Sequence, residues 1–200
     1  MSACGTGYFV VLDGIDGCGK SLHSGILSRA LAQRGYRAAL TAEPSRGEVG
    51  AFLGRLIRDE RKLSPVVETL LFTADRFDHL RNEVEPLLNK GTVVVCDRYF
   101  YSTLAYQGGQ GVDRDWIRTL NRFARKPDLA FCLDVSPQLA LERLRRKRSV
   151  FELPPLLEKV RGIYLELVKE YGMILVDSSR SIEEVSEKIL AHTLERLGPP

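Results

Sequence analysis

A glycine-rich segment between a short apolar run and a helical pattern constrains the fold of this chain most strongly. The apolar run covers residues 8–12, and the helical pattern covers residues 21–33. The segment between them matches the pattern G-x-x-x-x-G-K-[ST] and consists of Gly14, Ile15, Asp16, Gly17, Cys18, Gly19, Lys20 and Ser21. Glycines at this spacing allow backbone N–H groups to close around phosphate oxygens. The combination predicts a strand, a phosphate-binding loop and a helix, and it favours these over an ordinary tight turn.

Two side chains of this loop predict the nature of the ligand. Lys20 is expected to reach the β- and γ-phosphates of a nucleoside triphosphate, and the Ser21 hydroxyl is expected to coordinate Mg²⁺. We therefore expect every residue of the loop to contribute to binding ATP and its Mg²⁺.

Along the rest of the chain, short apolar runs alternate with longer amphipathic patterns. Strands are predicted at residues 8–12, 37–41, 92–96, 129–135 and 173–176. Helices are predicted at residues 21–33, 50–59, 65–89, 115–124, 136–147, 156–171 and 182–197. This alternation is typical of an α/β fold, in which a parallel sheet is covered by helices on both faces. No linker-like stretch divides the chain, so we expect one domain over residues 1–200.

Composition excludes several classes of protein. The chain has 200 residues, of which 44% are hydrophobic, and a formal net charge of +3. This charge is too small to indicate bulk binding of nucleic acid, and no apolar run approaches the roughly 20 residues of a membrane span. Cys4, Cys18, Cys96 and Cys132 show no metal-ligand spacing and are expected to be reduced. We expect a cytoplasmic protein that binds neither membranes nor nucleic acid.

Charged side chains directly follow the predicted strands. Ligands of open parallel sheets bind at the carboxyl ends of the strands, so these positions are candidates for an active site. Asp97 is the best candidate for holding Mg²⁺ directly or through water, and its alternative role is a helix cap or a structural ion pair. Asp13 also follows a strand, whereas for Asp134 and Asp177 a cap of the following helix is the simpler interpretation.

Several short motifs, together with the phosphate loop, carry a resemblance to one family. The motifs are Glu43-Pro44, Leu71-Phe72-Thr73-Ala74-Asp75-Arg76, Asp97-Arg98-Tyr99, Ser102, Ala105-Tyr106-Gln107, Lys126-Pro127-Asp128-Leu129, Leu133-Asp134-Val135, and Arg143 with Arg146. In this order and spacing they resemble the thymidylate kinases, which transfer the γ-phosphoryl group of ATP to dTMP. The resemblance implies a three-layer P-loop NTPase fold with a five-stranded sheet. It also implies an acceptor-binding region at residues 43–80 and a short mobile lid at residues 143–153.

The resemblance implies how dTMP is held. Arg98 would bind the phosphate, Phe72 would stack on the thymine ring, and Arg76 would donate to the carbonyl edge of the base. Asp16 would face the 3′-hydroxyl of the acceptor or a metal-bound water, and Glu43 would order the same edge of the site. Residues four apart on one helix share a face, which fits the spacing of Phe72 and Arg76, although Phe72 alone would be interpreted as a core aromatic.

The segment after Arg98 is implied to complete the acceptor pocket. Ser102 and Thr103 correspond to short polar groups near the pyrimidine, and Thr103 is favoured for its N3 edge. Tyr106 corresponds to a tyrosine beside the sugar, where its bulk would select against a 2′-hydroxyl. Gln107 follows it and is expected to belong to the same pocket.

Residues 142–148 hold five basic side chains. An arbitrary basic run is best interpreted as a solvated helix end, but the resemblance indicates a lid. Gly17 stands where one subgroup of the family has a catalytic arginine, so the chain resembles the subgroup whose arginines come from the lid. Arg143 is expected to contact the adenine or the donor phosphates. Arg146 and Arg148 are expected to close over the γ-phosphate and, with Lys20, Asp16 and Arg98, to form the catalytic set.

The chain departs from the family pattern at one position of the acceptor region. The family often has Arg-Glu-Pro after the second strand, whereas this chain has Ala42, Glu43 and Pro44. The missing cation would be supplied by Arg46 from the loop or by Arg55 from the next helix.

Alternative functions remain open at this point. A deoxynucleoside kinase would share the loop and the lid but would take a neutral acceptor such as thymidine. A kinase for dUMP or another monophosphate would differ only in the base pocket. A nucleotide-dependent switch or a nucleic-acid-associated ATPase would use the basic run for a polyanion. The resemblance also implies a homodimer, for which the helix predicted at residues 65–89 offers a face.

Overall fold

The computed structural model describes residues 7–59, 63–144 and 154–199, with a parallel five-stranded sheet at the centre. The strands are β1 Tyr8–Asp13, β2 Ala38–Ala42, β3 Val93–Asp97, β4 Leu129–Asp134 and β5 Ile174–Asp177. Their order in the sheet is β2-β3-β1-β4-β5, and each neighbouring pair is parallel. Every strand overlaps the apolar run that predicted it, so the predicted sheet is confirmed.

Helices connect the strands throughout the described ranges. They are α1 Lys20–Gln33, α2 Glu48–Arg58, α3 Pro65–His79, α4 Glu85–Leu88, α5 Phe100–Gly109, α6 Arg114–Leu120, α7 Pro137–Arg143, α8 Pro154–Tyr171 and α9 Ile182–Leu197. This alternation confirms the α/β fold class.

The three central strands are covered on both faces. In β1 every residue after Tyr8 is buried, and β3 and β4 are buried up to their terminal residues Asp97 and Asp134. Successive side chains of a strand point to opposite faces, so burial of consecutive residues requires helices on both sides of the sheet. The edge strands are more open and expose Leu40 in β2 and Leu175 in β5.

The long helix predicted at residues 65–89 contains a widened turn. Between α3 and α4, residues Leu80–Val84 form a π-helical segment. Pro86, two residues after this segment, has no N–H to donate to the carbonyl of Asn82, which favours a local departure from α-helical bonding.

Two helical predictions need correction, and one helix was missed. The helix α5 was not predicted, because most of its residues are buried and a helix buried on nearly all sides shows no amphipathic period. The helix predicted at residues 115–124 ends at Leu120, where the Asn121 side chain donates to the Ile117 carbonyl at 2.9 Å and competes with continued helix. The helix predicted at residues 136–147 ends at Arg143, because Leu144 has extended backbone angles.

Parts of other predictions fall outside the described residues or are not tested. The lid predicted at residues 143–153 lies outside them except for Arg143 and Leu144, and the single-domain organisation stays a prediction. No helix within the described ranges has the length and apolar character needed to cross a membrane.

The start of α9 gives a test of local stability away from the sheet edge. The Ser181 hydroxyl accepts from the Glu184 amide and the Glu184 carboxylate accepts from the Ser181 amide, which forms a capping box. We expect Ser181→Ala to lower the free energy of unfolding by about 1 kcal/mol in urea titrations. Ser181→Gly should lower it by only a few tenths of a kcal/mol. Equal stability of all three proteins would show that the cap contributes nothing.

Candidate active site

The predicted phosphate loop connects β1 to α1 at the carboxyl edge of the sheet. Gly14, Gly17 and Gly19 have φ angles of 143°, 84° and 95°, which residues with side chains rarely adopt. A Cβ atom at Gly17 would lie 2.3 Å from the carbonyl oxygen of Ala140 in α7. The loop therefore packs closely against α7, and this backbone leaves no room for an arginine at position 17.

Lys20 lies inside the curve of the loop and is only 4% exposed. Its ammonium group donates to the carbonyl oxygens of Gly14 at 2.9 Å and Ile15 at 2.8 Å. It also lies 3.8 Å from the buried Cys18 thiol. These bonds hold a positive charge at the centre of the loop, as expected of a phosphate-binding lysine.

Ser21 and Asp97 come together beside the loop. The Ser21 hydroxyl donates to Oδ2 of Asp97, while the buried Oδ1 of Asp97 has no hydrogen-bond partner among the described residues. The described residues contain no cluster of three or more His, Cys, Asp or Glu ligands, so a metal here would also need phosphate or water oxygens. With phosphate or water oxygens as further ligands, the Ser21 hydroxyl and the unpaired Oδ1 of Asp97 fit Mg²⁺.

Arg98 follows β3 in a strained conformation with a φ angle of 75°, and no other non-glycine residue in the described ranges has a positive φ. Its amide donates to the Leu12 carbonyl at 3.0 Å, and its carbonyl accepts from the Cys96 thiol at 3.1 Å. Its guanidinium donates to the Asp16 carboxylate and, at 3.3 Å, to the Ser102 hydroxyl. Strain of this kind concentrates at functional sites.

Asp16 lies between the two cations of the site. Its carboxylate is ion-paired with Arg98 and lies 3.7 Å from the Lys20 ammonium. Burial acts to raise the pKa of Asp16, but the attraction of Arg98 and Lys20 outweighs it and lowers the pKa to about 2. The Asp16 amide donates to the Tyr106 hydroxyl at 2.8 Å, and the Arg98 guanidinium lies 5.8 Å from the centre of the Tyr106 ring. The structure thus joins Asp16, Arg98 and Tyr106 to the loop.

Arg76 is 1% exposed and lies in a second polar cluster. Its Nη2 donates to the Glu43 carboxylate at 2.7 Å and to the Thr103 hydroxyl at 3.2 Å, and its Nη1 donates to Oδ1 of the Asn121 side chain at 2.8 Å. Its guanidinium also lies 5.2 Å from the centre of the Tyr99 ring. The structure brings together the predicted residues Glu43, Arg76 and Thr103; their contact with a base stays a prediction.

Phe72 lies half-buried on α3, midway between Glu68 and Arg76 in the helical repeat. Residues at this spacing share one face of a helix. That face meets α5, since the Gln107 amide donates to the Glu68 carboxylate at 3.1 Å. Burial raises the pKa of Glu68, and the hydrogen bond from Gln107 opposes the rise. Phe72 and Gln107 therefore lie along the same contact between α3 and α5.

Sequence reasoning missed three residues that support this cluster. Besides Asn121, the buried His79 has Nε2 2.7 Å from the Thr41 hydroxyl and Nδ1 3.5 Å from the Glu43 carboxylate. Asp75 accepts hydrogen bonds from the amide and the hydroxyl of Ser45, at 2.8 and 2.6 Å, and so fixes the loop after β2. Polar residues at helical spacing along α3 were the available signal, because Asp75 and His79 flank Arg76 on its buried side.

The remaining predicted residues lie around these clusters. Arg143, at the end of α7, donates to the Ser178 hydroxyl at 3.4 Å, and Ser178 donates to the Cys18 carbonyl of the loop. Arg46 is exposed before α2. Arg146 and Arg148 lie outside the described residues.

This arrangement defines a class of protein. A phosphate loop with a buried lysine is suited to binding a triphosphate, and Arg98, held beside it through Asp16, would offer a cation to a second anion. Phosphotransfer between two phosphorylated molecules requires this pair of sites, so the fold and the geometry are those of a P-loop nucleotide kinase.

Comparison with known proteins identifies the family. The model of the thymidylate kinase family matches residues 12–189. The chain is similar to a probable thymidylate kinase of Pyrococcus horikoshii, with 40% identity over 194 residues that cover 92% of this chain and 95% of the relative. It is also similar to a probable thymidylate kinase of Methanocaldococcus jannaschii, with 39% identity over 185 residues that cover 92% and 94%. The chain belongs to the thymidylate kinase family, as the sequence motifs predicted.

Gly17 and Gly111 allow the loop contact to be tested with a matched control. Both have a positive φ, 84° and 98°, but a Cβ at Gly111 would meet nothing within 4 Å. We expect Gly111→Ala to cost about 1–2 kcal/mol of stability without changing ATP affinity. Gly17→Ala should weaken ATP binding by roughly 10–100-fold, since displacing the loop from α7 misaligns its hydrogen bonds to the charged phosphates. Equal ATP affinities of the two variants, measured by calorimetry, would contradict the proposed tight fit.

The lowered pKa of Asp16 predicts the direction of a pH effect. The pKa falls from 3.8 to about 2 on folding, so the unfolded chain binds more protons than the folded chain between these pH values. Asp16 should therefore contribute at most about 2 kcal/mol above pH 4, and this contribution should vanish as the pH falls toward 2. In urea titrations from pH 5 to pH 2, wild-type protein should lose stability more steeply than Asp16→Asn. Parallel curves would contradict the ion pairing described here.

Proposed function

We propose that this chain transfers the γ-phosphoryl group of ATP to dTMP, forming dTDP for dTTP synthesis. The observation that carries the proposal is the placement of Arg98 beside the phosphate loop, joined to it through the carboxylate of Asp16. Membership of the thymidylate kinase family supports the same acceptor.

The chemistry requires two anions in line and compensation of their charge. Lys20 would exchange its bonds with the loop carbonyls for bonds to the β- and γ-phosphates. Arg98 would grip the acceptor phosphate through its planar fork, which can donate in two places at once. Asp16, lying between both cations, would keep them at a fixed spacing and face the 3′-hydroxyl of the acceptor sugar.

Ser21 and Asp97 would hold Mg²⁺. The support is the buried Oδ1 of Asp97, which has no partner among the described residues although it lies beside the Ser21 hydroxyl. Mg²⁺ held by Ser21 and Asp97 would supply positive charge that offsets the charge of the phosphates.

The cluster around Arg76 would read the base. Arg76 has N–H groups beyond those used by Glu43, Thr103 and Asn121, since its Nε has no hydrogen-bond partner among the described residues. It would donate to the carbonyl edge of thymine while Phe72, one turn before it, stacks on the ring. A buried guanidinium held at three points can discriminate sharply between bases, because a base without a matching acceptor leaves its free N–H group unpaired.

The residues of α5 in the acceptor pocket would recognise the sugar and the N3 edge of the pyrimidine. Tyr106, beside Arg98, would exclude a 2′-hydroxyl, and Thr103 would meet the N3 edge. Ser102 and Gln107 would complete the wall. Ser102 is already bound to Arg98, and Gln107 to Glu68.

The lid at residues 143–153 would cover the donor. Arg143 is connected to the phosphate loop by hydrogen bonds through the Ser178 hydroxyl, and it would contact the adenine or the donor phosphates. Arg146 and Arg148 would close over the γ-phosphate. The close packing at Gly17, which leaves no room for an arginine in the loop, supports a supply of these arginines from the lid.

A homodimer would use the outer faces of α2 and α3. The exposed apolar side chains there are Phe52, Ile57, Val66, Val67 and Leu70. Neighbouring apolar residues on a helix surface are typical of subunit contacts.

The reduced, buried Cys18, Cys96 and Cys132 support a cytoplasmic location.

The proposed function is tested by measuring ADP release with ATP and Mg²⁺ while the acceptor is varied among dTMP, dUMP, dCMP, dGMP, dAMP and thymidine. We expect dTMP to give a higher kcat/KM than thymidine, which has no phosphate for Arg98, and than dCMP, whose 4-amino group replaces the carbonyl that Arg76 would bind. dUMP has the same phosphate and carbonyl edge and lacks only the 5-methyl group, so it should rank next to dTMP. Preference for thymidine would indicate a nucleoside kinase, and preference for another monophosphate would refute the base pocket. Turnover without an acceptor, with salt-sensitive DNA or RNA binding, would indicate the switch or ATPase alternative.

The role of Arg46 is tested separately. Because Ala42 replaces the arginine often found there, we expect Arg46→Ala to raise the KM for dTMP by roughly tenfold and to leave the KM for ATP unchanged. The control is Arg34→Ala, which removes the same charge from an exposed residue at the far end of α1. An effect of Arg46→Ala no larger than that of Arg34→Ala would show that Arg46 does not compensate.

A further inference from the structure

Asp13, the last residue of β1, is fully buried and accepts hydrogen bonds from separate parts of the chain. Its Oδ1 accepts from the Gly14 amide at 2.9 Å, the Ser102 hydroxyl at 2.7 Å and the Tyr164 hydroxyl at 2.7 Å. Its Oδ2 accepts from the amides of Tyr99 and Ser102, each at 3.1 Å. We call Asp13 and these partner residues the Asp13 hub.

The donors of the Asp13 hub belong to segments that serve different parts of the proposed reaction. Gly14 opens the phosphate loop, and Tyr99 directly follows Arg98. The Ser102 hydroxyl also accepts from the Arg98 guanidinium at 3.3 Å. Tyr164 lies on α8, the helix that follows the predicted lid. One carboxylate therefore connects the donor loop, the acceptor arginine and the helix beyond the lid.

A carboxylate suits this position because an ionised carboxylate only accepts hydrogen bonds, whereas an amide would turn an N–H group toward some of the donors. Burial raises the pKa of Asp13, and the charge of Arg98 and the hydrogen bonds from Ser102 and Tyr164 oppose that rise. The hydrogen bonds of the hub thus favour the charged form in a place where water is excluded.

We propose that Asp13 and Tyr164 are positioning residues, which orient Arg98 toward the acceptor phosphate and make that orientation depend on α8. The inference rests on the proposed function, because it requires Arg98 to bind this phosphate. The backbone of Arg98 supports it: the strained φ of 75° is held by a bond from the Arg98 amide to the Leu12 carbonyl and by a bond from the Tyr99 amide to Asp13.

A purely structural role would explain part of the hub. The amides of Tyr99 and Ser102 lie at the start of α5, so Asp13 acts as a cap of that helix. Tyr164 does not belong to this cap, because its hydroxyl reaches Asp13 from α8 and lies 3.1 Å from the Ser102 hydroxyl. Tyr164→Phe therefore separates the two roles, since it removes one donor from the hub and leaves the cap in place.

The experiment compares wild-type protein, Tyr164→Phe and the matched control Tyr101→Phe in steady-state assays with ATP and dTMP. Tyr101 is a buried tyrosine of α5 that packs against the rings of Phe100 and Tyr171. We expect Tyr164→Phe to raise the KM for dTMP and lower kcat, with kcat/KM for dTMP falling about tenfold and the KM for ATP unchanged. Tyr101→Phe should leave these constants near the wild-type values. Thermal unfolding of each protein gives the effect on stability separately.

A double-mutant cycle adds a readout that a structural role would not move. If Tyr164 acts through Arg98, Tyr164→Phe should have no further effect on the KM for dTMP in an Arg98→Ala background. A loss that persists undiminished there, or kinetics of Tyr164→Phe that match those of Tyr101→Phe, would overturn the inference. Failure of the proposed function is a distinct result, because it would appear in the wild-type protein as absent turnover of dTMP.

Discussion

Parallel pairing of β1 with β3 is the constraint on which the site depends. The register places Leu12 opposite Asp97, so the two strands leave the sheet side by side. The chain after β1 becomes the phosphate loop, and the chain after β3 supplies Asp97 to Ser21 and Arg98 to Asp16. A shift of this register by one residue would exchange the faces to which the β3 side chains point and would move Asp97 and Arg98 away from Ser21 and Asp16. The geometry of the two proposed anion sites therefore depends on the same strand pairing that stabilises the central sheet.

The cations of the site are hydrogen-bonded to groups of the protein itself. Lys20 is held by loop carbonyls, Arg98 by Asp16 and Ser102, and Arg76 by Glu43. Buried cations without such partners would destabilise the fold. Phosphate groups would then replace partners that already exist, so that little of the protein has to reorganise when the substrates bind. Preorganisation of this kind is what phosphoryl transfer asks of a protein.

Much of the fold was predictable, because the apolar runs and the phosphate loop are local patterns. The order of the strands was not, since every buried parallel strand has the same apolar character. The helix α5 escaped detection because Thr103, Tyr106 and most of its other residues are buried on all sides. Asp97 and Arg98 could be predicted from their place after a strand. Asp13 follows a strand in the same way, but its five hydrogen bonds come from distant segments that only the tertiary structure brings together.

The central claim is that Arg98 binds the phosphate of the acceptor, and calorimetric titration with dTMP and thymidine tests it most directly. The two ligands differ only in the phosphate, so the ratio of their dissociation constants measures its contribution. The account predicts that wild-type protein binds dTMP roughly 10–100-fold more tightly than thymidine and that Arg98→Ala largely abolishes this advantage. An advantage of dTMP that is equally large in Arg98→Ala would contradict the account.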